Sequence, residues 1–183
     1  MKRKKGLIIL LSLICLTTYF VWNSLHKEIN RSIDGVLYGL GEEKKSVNGK
    51  VKIKVKGKLR NKIFDQDRFK GTIDIKGNVP PFVNIDNKEI EIVFNDDNSG
   101  LIIINNDLNW LDFTTYGTLY ISDNFSQLTI LVFDKQSKGN HGWSAGDGIM
   151  ISAPAKNREE ALTISNHLMK ELLNGKKTLD DFQ

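Results

Sequence analysis

Three stretches of this chain carry residues whose types and spacing could do chemistry. The first is Gly142-Trp143-Ser144-Ala145-Gly146, which fits the G-x-S-x-G pattern of a nucleophile elbow, with His141 and Asp147 beside it and His167 further on. In an elbow the serine stands on a tight turn between a strand and a helix, a histidine takes its proton, and an acid orients that histidine. Ser144, Asp147 and His167 stand in a suitable chain order. The surroundings fit less well. Gly148-Ile149-Met150-Ile151-Ser152 reads as an apolar strand stopped by Pro154, not as a helix. Asp147 is too close to Ser144 in sequence to swing independently, and His167 falls on a predicted helix. A glycine-rich loop with Trp143 packed over an end of a sheet explains the motif without catalysis.

The second stretch is acidic: Asn95-Asp96-Asp97-Asn98-Ser99-Gly100, with Asp65-Gln66-Asp67 as a lesser companion. Clustered carboxylates and carbonyls suit hard cations such as calcium. No glutamate follows at the twelfth position of an EF-hand loop, and the same residues favour turn dihedrals, so a hairpin turn is expected. His26, His141 and His167 are scattered and Cys15 is the one cysteine, so no zinc spacing exists. There is no phosphate loop and no dinucleotide fingerprint. No cofactor and no metal are expected.

The third stretch is Lys50-Val51-Lys52-Ile53-Lys54-Val55-Lys56-Gly57-Lys58-Leu59-Arg60. Its strict alternation is the period of a β-strand, with Val51, Ile53, Val55 and Leu59 on one face and only cations on the other. From Lys44 to Lys62 there are nine basic residues and no acid, whereas from Asp86 to Asp134 nine acids face Lys88 alone. Lys50, Lys52, Lys54, Lys56, Lys58 and Arg60 are therefore candidates for an anion-binding face. A lysine near an anionic surface contributes about 1 kcal/mol. Two blander readings compete. The lysines could be a solvated sheet face balanced by Asp74, Glu89 and Glu91, or a device that keeps an edge strand from pairing.

The rest of the chain must position these residues. It has 183 residues, enough for one domain with a real core. The formal net charge is +4, but Lys2, Arg3, Lys4 and Lys5 account for the whole excess of 26 basic over 22 acidic residues. The remainder is neutral, which excludes a general nucleic-acid footprint. Behind that basic tail (1–5), residues 6–22 carry no charge and match the lower limit for a spanning helix, roughly 17 residues. Tyr19, Phe20 and Trp22 suit the far headgroup layer, and the basic tail suits the cytoplasm. No small-residue cleavage pattern follows, and Ile14 precedes Cys15 where a lipoprotein needs a small residue. An uncleaved anchor in the bilayer is expected, then a stalk (23–34), then an extracytoplasmic domain (35–183).

Within that domain, strands are expected at 35–39, 50–60, 69–76, 89–94, 101–104, 117–121, 128–133 and 149–152. The segment 41–49 reads as loop. Residues 105–115 read as irregular, with Trp110, Leu111 and Phe113 plugging an end of the core. Asn157 with Glu160 three residues on begins a helix as a capping box does. Ala161, Ile164, Leu168 and Leu172 share a face of it, flanked by Leu162, Met169 and Leu173, and Gly175 suits its C-cap. The fold class is α+β: a transmembrane helix, then a mostly antiparallel sheet (meander, half-barrel or sandwich) covered by one C-terminal helix.

At Leu119-Tyr120-Ile121-Ser122-Asp123-Asn124-Phe125-Ser126, and again at Met150-Ile151-Ser152-Ala153-Pro154, the chain resembles small membrane-anchored proteins of Gram-positive bacteria. Its Lys-, Ile- and Asn-rich composition suits an AT-rich bacterial genome. The resemblance spans the anchor and the last third of the chain, and implies no activity and no site. The function expected is a non-catalytic binding or structural module at the cell envelope, its ligands anionic lipid headgroups or wall polymers. The alternatives are a small surface hydrolase using Ser144 and a subunit of a larger envelope complex.

Overall fold

The computed structural model describes residues 10–19, 21, 26–61, 66–77, 85, 88–105, 113–135, 141–174 and 178–179. Eight strands form one sheet: β1 (His26–Gly39), β2 (Asn48–Arg60), β3 (Arg68–Gly77), β4 (Ile90–Val93), β5 (Ser99–Asn105), β6 (Phe113–Ile121), β7 (Leu128–Val132) and β10 (Ile149–Ala153). Between β7 and β10, the two-residue strands β8 (Asp134–Lys135) and β9 (His141–Gly142) pair with each other. The order across the large sheet is β4-β3-β2-β1-β10-β7-β6-β5, antiparallel at every step. Its two edges, β4 and β5, follow one another in the chain. Their connecting turn is tight: the Asn95 N–H donates to the Ser99 carbonyl at 2.8 Å. The sheet therefore curls until its edges meet, as a nearly closed barrel.

The alternation in β2 is realised, with Val51, Ile53, Val55 and Leu59 buried and the intervening cations exposed. The same inward parity puts Phe69, Ile73 and Ile75 of β3, Ile92 of β4, Ile102 of β5 and Leu119 of β6 into the barrel interior. Phe125 enters from the turn before β7 and closes the interior, its ring centroid 4.9 Å from that of Phe69 and 6.2 Å from that of Phe94. By contrast, β7 and β10 are buried along their whole length. Their outer faces lie under helix α3 (Arg158–Leu168), where Val36, Tyr38, Leu131 and Met150 meet Ala161, Leu162, Ile164, Met169 and Leu173. Strands covered on both faces need apolar residues at consecutive positions, which is why β7 and β10 show runs and β2 shows alternation. The cap of α3 is a variant of the capping box: the N-cap Asn157 Oδ1 accepts from the Glu160 N–H at 2.9 Å, and Glu160 Oε2 accepts at 2.9 Å from the N–H of Lys156, one residue before the N-cap.

Several expectations need correction. The stalk at 23–34 is a sheet strand from His26 onward, because β1 pairs with β2 from His26 opposite Arg60 to Tyr38 opposite Asn48. Lys27 and Arg31 share the parity of Ile29 and Ile33, so the alternation is broken and only a spacing of four remains, which reads as helix. The loop at 41–49 contains a short helix, α2 (Gly41–Lys44). Phe113 plugs nothing: it begins β6 and is 60% exposed. Trp110 and Leu111 lie outside the described residues, as does Gly175. Leu172 is exposed, and the buried face of the helix includes Ser165. At the N-terminus residues 10–19 are helical (α1), with Leu10, Leu11, Leu13, Ile14 and Leu16 exposed. No helix among the described residues is long and apolar enough to cross a membrane. The tail 1–5 and the rest of 6–22, apart from residues 10–19 and 21, lie outside the described residues.

Candidate anion-binding face

Residues directly opposite one another in antiparallel strands share a face. The outer face of β2 presents Lys50, Lys52, Lys54, Lys56, Lys58 and Arg60, all exposed. The β3 register then sets Lys76 opposite Lys52, Asp74 opposite Lys54, Thr72 opposite Lys56, Lys70 opposite Lys58 and Arg68 opposite Arg60. Three of these five pairs oppose like charges, an arrangement that costs stability. On the far side, β1 sets Asp34 opposite Lys52 and Glu28 opposite Lys58. On the other flank, β4 sets Glu91 opposite Lys70.

The acids offset the central column only in part, with Asp74 directly opposite Lys54. Asp34 reaches Lys52 at 3.6 Å, Glu91 reaches Arg68 at 3.4 Å and Glu89 reaches Lys70 at 3.8 Å. Exposed pairs of this kind contribute about 0–1 kcal/mol each. Among the described residues, no ion pair involves Lys50, Lys54, Lys56, Lys58 or Arg60. Glu89 and Glu91, expected to balance β2, serve the cations of β3 instead. The edge-protection reading also fails, since β2 lies between β1 and β3 and the edges are β4 and β5. Nor does the helix hide the column: α3 covers the outer faces of β1 beyond Val36, β10 and β7, another sector of the barrel.

Where β2 and β3 cross at the directly opposite Gly57 and Gly71, the sheet is pinched. A Cβ on Gly71 would fall 2.2 Å from the Lys56 carbonyl oxygen and 2.5 Å from the Gly57 Cα. Such glycines let a sheet bend sharply at a barrel corner. Their backbone floors an outer groove of about 780 Å³. Lys56, Lys58, Arg60, Arg68 and Lys70 line it, with Glu89 and Glu91 at the β4 side. Arg68 and Lys70 were not among the sequence candidates. The signal was present: a short turn after Arg60 followed by another alternating strand brings Arg68 back opposite it.

The serine candidates are placed differently. Ser144 sits in a turn leading into strand β10, not a helix; its Oγ accepts from the Gly146 N–H at 3.1 Å and its carbonyl from the Gly148 N–H at 2.7 Å. Trp143 and Ala145 pack against the cluster under α3. Asp147 is exposed, and His167 lies on the exposed side of α3, in a separate cleft with Asp97, Asp123 and Lys170. His141 is in β9, paired with Lys135. Among the described residues, no hydrogen bond joins Ser144 to Asp147 or His167.

The acidic stretch 95–100 is the β4–β5 turn: Asp97 Oδ1 accepts from the Ser99 N–H at 3.0 Å, and Asn95 Nδ2 donates to Ser99 Oγ at 3.0 Å. Asp65 lies outside the described residues, and Asp67 accepts from Asn61 Nδ2 at 2.6 Å. Among the described residues, no three His, Cys, Asp or Glu side chains are grouped so as to hold a metal ion.

Under α3, four fully buried hydroxyls meet. Ser165 Oγ lies 2.6 Å from Tyr38 Oη, 2.7 Å from Ser152 Oγ and 3.1 Å from Thr129 Oγ1, and donates to the Ala161 carbonyl at 3.0 Å. The cluster ties α3 to β1, β7 and β10.

No protein-family model matches this chain, and no curated protein or solved structure matches it significantly.

Proposed function

We propose that this chain is a single-pass membrane protein, its N-terminus cytoplasmic, whose barrel works outside the membrane as a non-catalytic binding module for polyanions at the cell envelope. One observation carries the binding reading. Strand β2 is interior to the sheet, yet its outer face is cationic at every position from Lys50 to Arg60, and β3 adds three more cations and one acid directly opposite. Neither edge protection nor local ion pairing accounts for that arrangement, and a polyanion would relieve its repulsion. The anchor reading rests on the uncharged run 6–22 behind four basic residues, and on the exposed apolar side chains of α1.

The test immobilises the full chain through a C-terminal tag and measures capture of phosphatidylglycerol vesicles, polyphosphate and heparin over a range of salt. Salt-sensitive capture is expected. It should be lost in Lys52→Glu/Lys54→Glu/Lys56→Glu and kept in Lys45→Glu/Lys156→Glu/Lys170→Glu, a control with the same change in net charge and three exposed sites away from the column. Equal loss in both would reduce the effect to net charge and overturn the reading. The anchor is tested by carbonate extraction of membranes: release of the chain into the supernatant would refute it.

A second reading, a subunit of an envelope complex, is favoured by Leu101 and Ile103. Both are exposed on edge strand β5, on the same face as Phe113. A purified complex that survives Leu101→Glu/Ile103→Glu would not use this edge.

A further inference from the structure

Building on the reading of the basic face as a polyanion site, we infer that its ligand is a linear polyphosphodiester lying along β2, not the plane of a bilayer. Alternate residues of a strand are about 6.6 Å apart, so the six cations from Lys50 to Arg60 form a column that follows the strand for up to roughly 33 Å. The column is narrow. Its neighbour β3, about 4.8 Å away, supplies Arg68, Lys70 and Lys76 with a single acid, Asp74, opposite Lys54, and beyond this pair of strands the sign reverses. Glu28 and Asp34 of β1 flank one side, and Glu91 of β4, with Glu89 just before it, flanks the other. A planar anionic surface meeting this face would bring its headgroups against those carboxylates as well as the cations. A single chain laid along the column meets nine cations and one acid, Asp74 opposite Lys54, in the two facing rows.

The charge spacing selects the repeat. A phosphodiester polymer with a three-carbon spacer repeats its single negative charge on the same scale as alternate strand residues, and keeps that charge at any physiological pH. The groove over Gly57 and Gly71 receives one end of the chain. There Arg60 stands directly opposite Arg68, and Lys58 opposite Lys70. Two facing guanidinium groups offer forked donors that match phosphate oxygens, which a lysine point charge does not.

The experiment holds chemistry constant and changes only its presentation. The immobilised full chain is offered poly(glycerol phosphate) of graded lengths, monomeric glycerol phosphate, and phosphatidylglycerol vesicles with phosphatidylcholine vesicles as the blank. Polymer affinity should rise with length until the chain spans the column, and the monomer should bind far more weakly. Lys54→Gln and Lys58→Gln should each weaken polymer binding about fivefold, the equivalent of one lysine at an anionic surface. Glu28→Gln/Glu91→Gln should improve vesicle capture by a larger factor than polymer capture, because a plane meets both flanking rows of carboxylates and a single chain only their near side. Vesicles captured as well as the polymer per glycerol phosphate, or polymer binding independent of length, would overturn the linear ligand and leave the basic face standing. No lysine-dependent capture of either would overturn both.

Discussion

Replacing Ser165 with alanine tests what seats the covering helix on the barrel. The hydroxyl lies within a shell of four oxygens: Tyr38 at 2.6 Å, Ser152 at 2.7 Å, Thr129 at 3.1 Å and the Ala161 carbonyl at 3.0 Å. Removing it strands no partner entirely, because Ser152 keeps Thr129 at 3.0 Å and Tyr38 at 3.3 Å. The loss is therefore that of one to two buried hydrogen bonds, about 2 kcal/mol. Alanine's higher helix propensity offsets about 0.5 kcal/mol of this. A net cost of about 1.5 kcal/mol should lower Tm by about 3–6 °C for a fold of this size. Urea unfolding should show a lower midpoint with an unchanged slope. Tyr38→Phe removes a second corner, and the double variant should cost less than the two singles together by about 1 kcal/mol, since both break the same contact. A Ser165→Ala change within 0.5 kcal/mol of the parent, or strict additivity with Tyr38→Phe, would refute the cluster as a coupled unit.

Two other outcomes follow from the barrel itself. Gly71→Val should cost about 3 kcal/mol in urea unfolding, the upper end of overpacking, because its Cβ meets β2 backbone at 2.2 Å; a neutral Thr72→Val beside it would serve as control, and a neutral Gly71→Val would show that the strands can part. Burial raises Tyr116 well above the ordinary tyrosine value of 10.0, and Tyr120 is raised by burial and then by the Asp97 charge. The unfolded chain then loses these protons first, so stability is unaffected below pH 10 and should fall above it by up to about 1.4 kcal/mol per pH unit for each tyrosine. Tyr116→Phe should remove one of the two contributions, and an unchanged alkaline slope would sink the assignment.

The alternation in β2 and β3 and the β4–β5 turn are legible in the chain, because each is set by neighbours within a few residues. Period two needs only a pleat with one side buried, and the Asn- and Asp-rich turn needs only its own side chains. The capping box of α3 is local in the same sense. The sequence also determines that six cations share one side of a strand.

What the strand is for depends on facts that are not local. That β2 is interior, and so not an edge needing lysines, follows from β1 and β3 pairing on its two sides, and β1 is in turn covered by β10 across more than a hundred residues of chain. That β1 begins at His26 was hidden because Lys27 and Arg31 interrupt its apolar parity. The facing of Arg60 with Arg68 and Lys58 with Lys70 requires a register, which comes from pairing and not from either strand alone. The sector covered by α3 was equally open, and Ser165, an ordinary polar residue in the helix, found its meaning only against Tyr38, Thr129 and Ser152. Periodicity tells a strand which side is wet. Only closure of the barrel decides what stands beside that wet side, and here that decides whether its charge can hold a ligand.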